Sequence, residues 1–205
     1  VVMDLISDIS VRYTLEECVD MPERIFRTVN YDLSLAHRAM YMEMVREAVL
    51  KLETGEVSAV HAASLVNKLL QIASGAVYES PDKYHVLDTG RYELVADLVA
   101  ERKACLLPYI WKHQKVELVN ALSRVGIDNV AIIDSSTKAV APIVEDFQAG
   151  KYRAIIAHPK SASHGLTLTE AATTIWSSPT READRYIQFN GRSYRNGQTK
   201  KTEVI

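Results

Sequence analysis

Apolar residues recur at two different periods along this chain, and the change of period divides it. Between about Tyr31 and Glu101 they return every three or four residues, so that Leu33, Ala36, Met40, Met44 and Ala48 of LSLAHRAMYMEMVREAVLKLE fall on one side of a helix. After TGE, the stretch AVHAASLVNKLLQIASG aligns Ala62, Leu65, Leu69 and Ile72 in a second stripe closed by Gly75, a residue type suited to ending a helix. A polar, proline-containing passage, YESPDKYHVLDT, then leads to a third helix around YELVADLVAE. The pattern predicts an α-helical first half.

From Lys103 short apolar runs alternate with helical segments. ACLLPYI, NVAII, RAIIAH, TTIWSS and TEVI read as strands, separated by helices around HQKVELVNALSRVG, VAPIVEDFQAG and READRYIQFNGRSYRN, with a short turn near HGLTLTEA. Strands apolar on nearly every residue and joined by helices imply a parallel sheet covered on both faces. Such a sheet binds ligands at the carboxyl ends of its strands, which draws attention to Lys112 and His113, Ser135 to Lys138, His158 to Gly165, and Ser178 to Arg181. The expected division is a helical appendage over residues 1–102 and an α/β body over 103–205.

Composition narrows the chemistry mainly by exclusion. With 47% hydrophobic residues and a formal net charge of −2, the chain is an ordinary globular one, so contact with nucleic acid has to come from a local basic face such as Lys200 and Lys201 rather than bulk charge. Its only cysteines, Cys18 and Cys105, lack metal-like spacing and read as free thiols of a reducing compartment, making the cytoplasm the expected location. No run approaches the ~18 apolar residues of a membrane span, and VVMDLISDIS lacks the features of a signal peptide. The missing initiator methionine and the β-prone end KTEVI make the chain read as part of something longer. G-x-x-x-x-G-K-[ST], H-E-x-x-H and G-x-S-x-G are all missing, so neither a P-loop, a zinc-protease site nor a serine nucleophile elbow is encoded, and no metal ligands are assigned.

What remains is QFNGRSYRNGQTKK. On a helix continuing through this stretch, Gln188, Arg192 and Arg195 recur at i, i+4 and i+7 and share a face, with Asn196 and Gly197 ending the helix. A guanidinium is always charged and offers a planar fork of donors, which suits phosphate oxygens and the charge spread over a phosphoryl group in transfer. The competing reading is a solvated face, or salt bridges to Asp184 or Glu182.

The surrounding text favours phosphate. Q-x-x-G-R-x-x-R-x-G-Q resembles the last conserved motif of superfamily two helicases, most closely the Swi/Snf-like branch with its Arg-x-Gly-Gln ending. SASHGLTLTEA resembles that family's preceding small-residue loop and Gly-Leu-Asn-Leu motif, with Ser163 at a place often held by glycine and Thr167 where asparagine is usual. TTIWSSPTREADRYIQ, ACLLPYIWKHQKVELVNAL and VEDFQAGKYRAIIAH are similar to its intervening strands and helices, while NKLLQIASGAVY and DLSLAHRAMYMEM resemble the helical lead-in of phage and bacterial members.

The resemblance implies an α/β, parallel-sheet RecA-like helicase C-terminal lobe with an N-terminal helical appendage, part of an ATP-dependent DNA helicase or translocase. It implies that Arg192 and Arg195 reach the γ-phosphate as catalytic arginines, that Gln188, Gly165 and Thr167 lie on the nucleotide side, and that Lys112, His113, Lys160, Ser161, Ser163 and His164 touch the nucleic-acid backbone. ATP and Mg2+ would be held mainly by a first lobe carrying the P-loop, and double-stranded DNA would be tracked through its phosphates. An RNA helicase lobe and a non-catalytic binding module are the rival readings. Trp111 and Trp176 border apolar strands and are expected to pack rather than stack on bases.

Overall fold

The computed structural model describes residues 9–11, 13, 15–53, 59–162, 165–178 and 180–205. The first half runs α1 (Leu15–Cys18), β1 (Arg24–Phe26), α2 (Leu35–Glu53), α3 (Ala59–Ala73), β2 (Ala76–Ser80) and β3 (Lys83–Val86). Then come α4 (Gly90–Ala100), β4 (Cys105–Pro108), α5 (Lys112–Arg124), β5 (Val130–Ile133), α6 (Ala141–Gln148), β6 (Ala154–Ala157), β7 (Thr173–Thr174), α7 (Ala183–Asn190) and β8 (Thr202–Val204).

The apolar runs pair as the pattern predicts. A six-stranded sheet has the order β1-β8-β7-β4-β6-β5, with every pairing parallel. Leu106 lies opposite Ile155 and Leu107 opposite Ile156, so neighbours in sequence enter different cores. On one face Cys105, Leu107, Ile156 and Ile175 meet Tyr92, Val95 and Val99 of α4 and Leu118 and Leu122 of α5. On the other, Leu106, Ile133 and Ile155 meet Phe147, Leu168 and Phe189. Burial on both faces is what lets these strands dispense with polar alternation. The sheet body draws on both sides of the expected 102/103 division, because α4 covers one face and β1 extends the sheet through β8. Among the described residues no helix is long and apolar enough to cross a membrane.

Three features depart from the sequence pattern. β1 was not anticipated; it is three residues long and pairs Arg24 with Thr202, too short for a period to register. YESPDKYHV forms an antiparallel hairpin, β2 with β3, whose turn holds Pro81 and Asp82. Most consequentially, α7 ends at Asn190 instead of running on past Arg195. Gly191, a poor helix former, takes the C-cap. Beyond it the backbone closes through turns, with Arg192 N donating to Phe189 O at 3.0 Å and Gln198 N to Arg195 O at 2.9 Å. The Arg192 carbonyl leaves the helical pattern altogether and accepts from Leu168 N at 2.9 Å.

Leu106 and Leu107 are both fully buried. Leu106→Ala and Leu107→Ala are therefore each expected to cost ~2–5 kcal/mol in urea-unfolding measurements, although the positions are adjacent. A strand with one solvated face would give one large and one negligible loss.

Candidate nucleotide and nucleic-acid site

The two arginines project from a turn rather than a helix face, and the turn is fastened by a residue that sequence reasoning treated only as part of a motif. The Gln198 amide is buried and its Nε2 donates to the carbonyls of Thr169 (2.9 Å), Ala171 (3.2 Å) and Ser193 (3.0 Å). Its Oε1 accepts from Lys200 N at 2.9 Å. One side chain thus ties the turn to the segment entering β7. Gly197, at φ +96°, makes the bend that brings Gln198 inward, a conformation glycine adopts without a Cβ penalty. The signal available in sequence was the Gly-Gln pair itself, without a period or charge to say which way the amide points.

Arg195 is exposed and its Nη1 donates to the carbonyl of Gly165 at 3.2 Å, while Gly165 adopts φ +64°. Arg192 is half-buried, and burial, then the nearby Arg195 charge, push its guanidinium pKa below the ordinary value. Glu182, offered as a carboxylate partner by the competing reading, pairs with Arg185 instead. Gln188 is exposed on the last turns of α7, and Thr167 is half-buried beside Leu168.

The location of this turn corrects an expectation. Thr169 and Ala171 precede β7, and Gln198 precedes β8, so the arginines sit toward the amino ends of those strands. The residues after β4, β5 and β6 do converge, but on a separate cleft at the carboxyl ends. This cleft, about 550 Å³, is lined by Lys112, Lys115, Lys160, Ser161, His158 and Asp134, among others. Three of the six residues expected on the nucleic-acid backbone, Lys112, Lys160 and Ser161, therefore share one surface. Ser163 and His164 lie outside the described residues.

Sequence reasoning missed Lys115, which extends the basic rim but is bound to Asp134 at 2.8 Å. That carboxylate is held well below its ordinary pKa by the Lys115 hydrogen bond, then by Ser136, so it stays ionised and offsets part of the cleft's positive charge. The Lys112 ammonium is likewise paired, with Asp82 of the hairpin turn. His158 is half-buried, and burial followed by the charges of Lys160 and Arg185 keeps it neutral at higher acidity than usual.

His113 is a correction of a different kind. It is fully buried, its Nδ1 and backbone N both meeting the Tyr78 hydroxyl at 3.0 Å and its Nε2 3.2 Å from the Ser74 carbonyl. The ring faces Tyr78, Tyr84 and Tyr92, and so it fastens the hairpin and α3 to the start of α5 rather than meeting solvent. Trp176 packs as expected, its Nε1 donating to Asn190 Oδ1 at 3.0 Å and its ring edge-on to Phe189.

Burial lowers the His113 pKa to about 4, so the fold favours the neutral ring. The stabilisation is fully present above the unfolded value near ~6.5 and is lost as pH falls toward 4, because the unfolded state then binds the extra proton. Between pH 7 and pH 4 the loss should reach ~3 kcal/mol, and His113→Gln should remove this component of the pH dependence. Unfolding midpoints of both proteins across that range check it, and parallel curves would rule it out.

Comparison with known proteins agrees with the geometry. The model of the helicase conserved C-terminal domain matches residues 90–197, more than half of the chain, from the first residue of α4 into the arginine turn. The putative protein p41 of Acyrthosiphon pisum secondary endosymbiont phage 1 is 28% identical over 173 residues, covering 83% of this chain but 36% of that protein. The C-terminal part of the Fun30 ATPase domain superposes with a TM-score of 0.65 at 14% identity, covering 90% of this chain and 84% of that one. The Sulfolobus solfataricus SWI2/SNF2 ATPase core, solved in complex with dsDNA, gives a TM-score of 0.67 at 20% identity over 99% of this chain and 45% of that one. The chain thus spans less than half the length of p41 and of the Sulfolobus core. Its sheet and these matches lead to one assignment: the chain belongs to the helicase conserved C-terminal domain family, with a fold similar to the C-terminal part of the Fun30 ATPase domain.

Proposed function

We propose that this chain serves as the second motor lobe of an ATP-driven translocase or helicase acting on double-stranded DNA. Residues 1–102 act as a lead-in whose last helix, α4, packs on the sheet and whose β1 pairs with β8. Arg192 and Arg195 supply positive charge to the transferring phosphoryl group, with Gln188, Gly165 and Thr167 on the nucleotide side of the lobe. Lys112, Lys160 and Ser161 meet phosphates of the tracked duplex, as backbone contacts position a protein without reading bases. The similarity to an ATPase core solved with dsDNA supports a DNA substrate.

The observation that carries this reading is the arginine turn. The Arg192 guanidinium is half-buried, and burial, then the Arg195 charge, lower its pKa, so the turn gathers positive charge in a partly desolvated place. The turn is also locked against the Gly165 segment by Gln198 and Arg195, which fixes donors before a substrate arrives. Preorganised charge of this kind is what a loose phosphoryl-transfer transition state needs.

The chain's own residues do not complete an ATPase. It carries no P-loop run. Among the described residues no three His, Cys, Asp or Glu side chains group as metal ligands. In this reading the lobe bearing the P-loop holds both metal and triphosphate.

In an ATPase assembled from this chain and its P-loop lobe, Arg195→Ala should lower DNA-stimulated turnover by ~10³–10⁵, the range attributed to an arginine finger. Stimulation should be greater with duplex DNA than with RNA. Turnover of the Arg195→Ala protein within a factor of a few of wild type would refute the assignment, and stronger stimulation by RNA would move it to the RNA-directed branch.

A further inference from the structure

Arg24 lies far upstream of the matched residues 90–197, on the short strand β1 that the sequence pattern did not reveal. Its guanidinium carbon nevertheless sits 4.2 Å from the centroid of the Tyr194 ring. Tyr194 stands between Arg192 and Arg195 in the turn and is buried. Three further contacts bring β1 to the same place. Arg24 pairs with Thr202 in the parallel ladder, Thr202 N donates to Glu23 O at 2.9 Å, and Lys201 Nζ donates to Glu23 Oε2 at 2.8 Å. The arginine turn is therefore held from two sides, by Gln198 on the β7 side and by β1 on the other.

The kind of contact matters. A cation above an aromatic face is attracted by the ring quadrupole and requires both the charge and the ring. Arg24 makes no ion pair among the described residues, and its other ring neighbour, Phe26, is farther away at 5.2 Å. Its charge is thus directed at the one ring between the two arginines.

We propose that Arg24 is a positioning residue for the arginine turn: by seating the Tyr194 ring it fixes where Arg192 and Arg195 present their guanidinium groups. This rests on the reading of that turn as the phosphate-facing element of an ATPase. It makes a strand outside the matched domain part of the hydrolytic apparatus, and it couples the fit of the N-terminal segment to the rate of phosphoryl transfer.

The test uses the ATPase assembled from this chain and its P-loop lobe. Arg24→Gln keeps length and polarity but loses the charge, and should lower kcat about 10-fold while KM for ATP changes less than about twofold, as misplacement of groups acting in the transition state requires. Arg24→Lys should recover much of the loss and Tyr194→Phe should stay near wild type. Tyr194→Leu should reproduce the Arg24→Gln defect, and the double variant should be no worse than either single one, because both break the same contact. A wild-type kcat in Arg24→Gln, or fully additive losses, overturns the proposal. So does a lowered melting temperature with unchanged kcat, which is what a merely structural role gives. If Tyr194→Leu does not fold, the Gln, Lys and Phe variants still decide. Arg195→Ala run alongside separates the two claims: loss of hydrolysis there with none in Arg24→Gln sinks the positioning role alone, whereas retained hydrolysis removes the reading on which it rests.

Discussion

The candidate site depends on one buried amide. Gln198 satisfies three carbonyls from two segments distant in sequence, and those segments carry Gly165 on one hand and both arginines on the other. Burying a primary amide is unfavourable unless its hydrogen bonds are made, so the partners hold Gln198 as firmly as it holds them. Without that tie the turn after α7 would keep only the Leu168 N to Arg192 O bond, the Arg195 contact with Gly165 and its β1 side, with no buried side chain joining it to the segment entering β7. Backbone geometry alone does not keep two arginines together; a satisfied buried polar group does.

The structure separates two places that a reading by strand ends would merge. The cleft of Lys112, Lys115, Lys160 and Ser161 lies at the carboxyl ends of β4 to β6, whereas the arginine turn lies toward the amino ends of β7 and β8. The connection from β6 to β7 reaches both: His158 and Lys160 line the cleft at its start, and Gly165 to Ala171 meet the arginine turn at its end. A contiguous segment touching both places is the material from which coupling between phosphate and nucleic acid would be built. Asp134 and Asp82 pair with two of the cleft's lysines, so its positive character is moderated before any polyanion arrives.

Much of the fold was legible because burial on both faces leaves a strong trace in sequence. CLLP, VAII and AIIA read as strands from apolar density alone, and α3 from its stripe; the α2 stripe marked a helix correctly, but Ala36 and Met40 on it stay exposed. What failed to register was short or locally ambiguous. β1 offers three residues, and the hairpin alternates over too few positions, with Pro81 suggesting a loop. The α7 error was one of competition: the spacing of Gln188, Arg192 and Arg195 fits a helix, but Gly191 weakens it and Leu168 N captures the Arg192 carbonyl. At the site, residue types were readable and directions were not. His113 carries the same letter in a cleft or a core, and only Ser74, Tyr78 and Tyr92 around it decide which.

The central claim is that the Gln198-fastened arginine turn faces a transferring phosphoryl group. It is tested most directly by comparing a transition-state analogue with a product. In the ATPase assembled from this chain and its P-loop lobe, the affinity for ADP with tetrafluoroaluminate should fall by ~10³ or more in Arg195→Ala, while the affinity for ADP alone stays within a few-fold of wild type. Equal affinity for the analogue in the two proteins, or an equal loss for analogue and ADP, would contradict it.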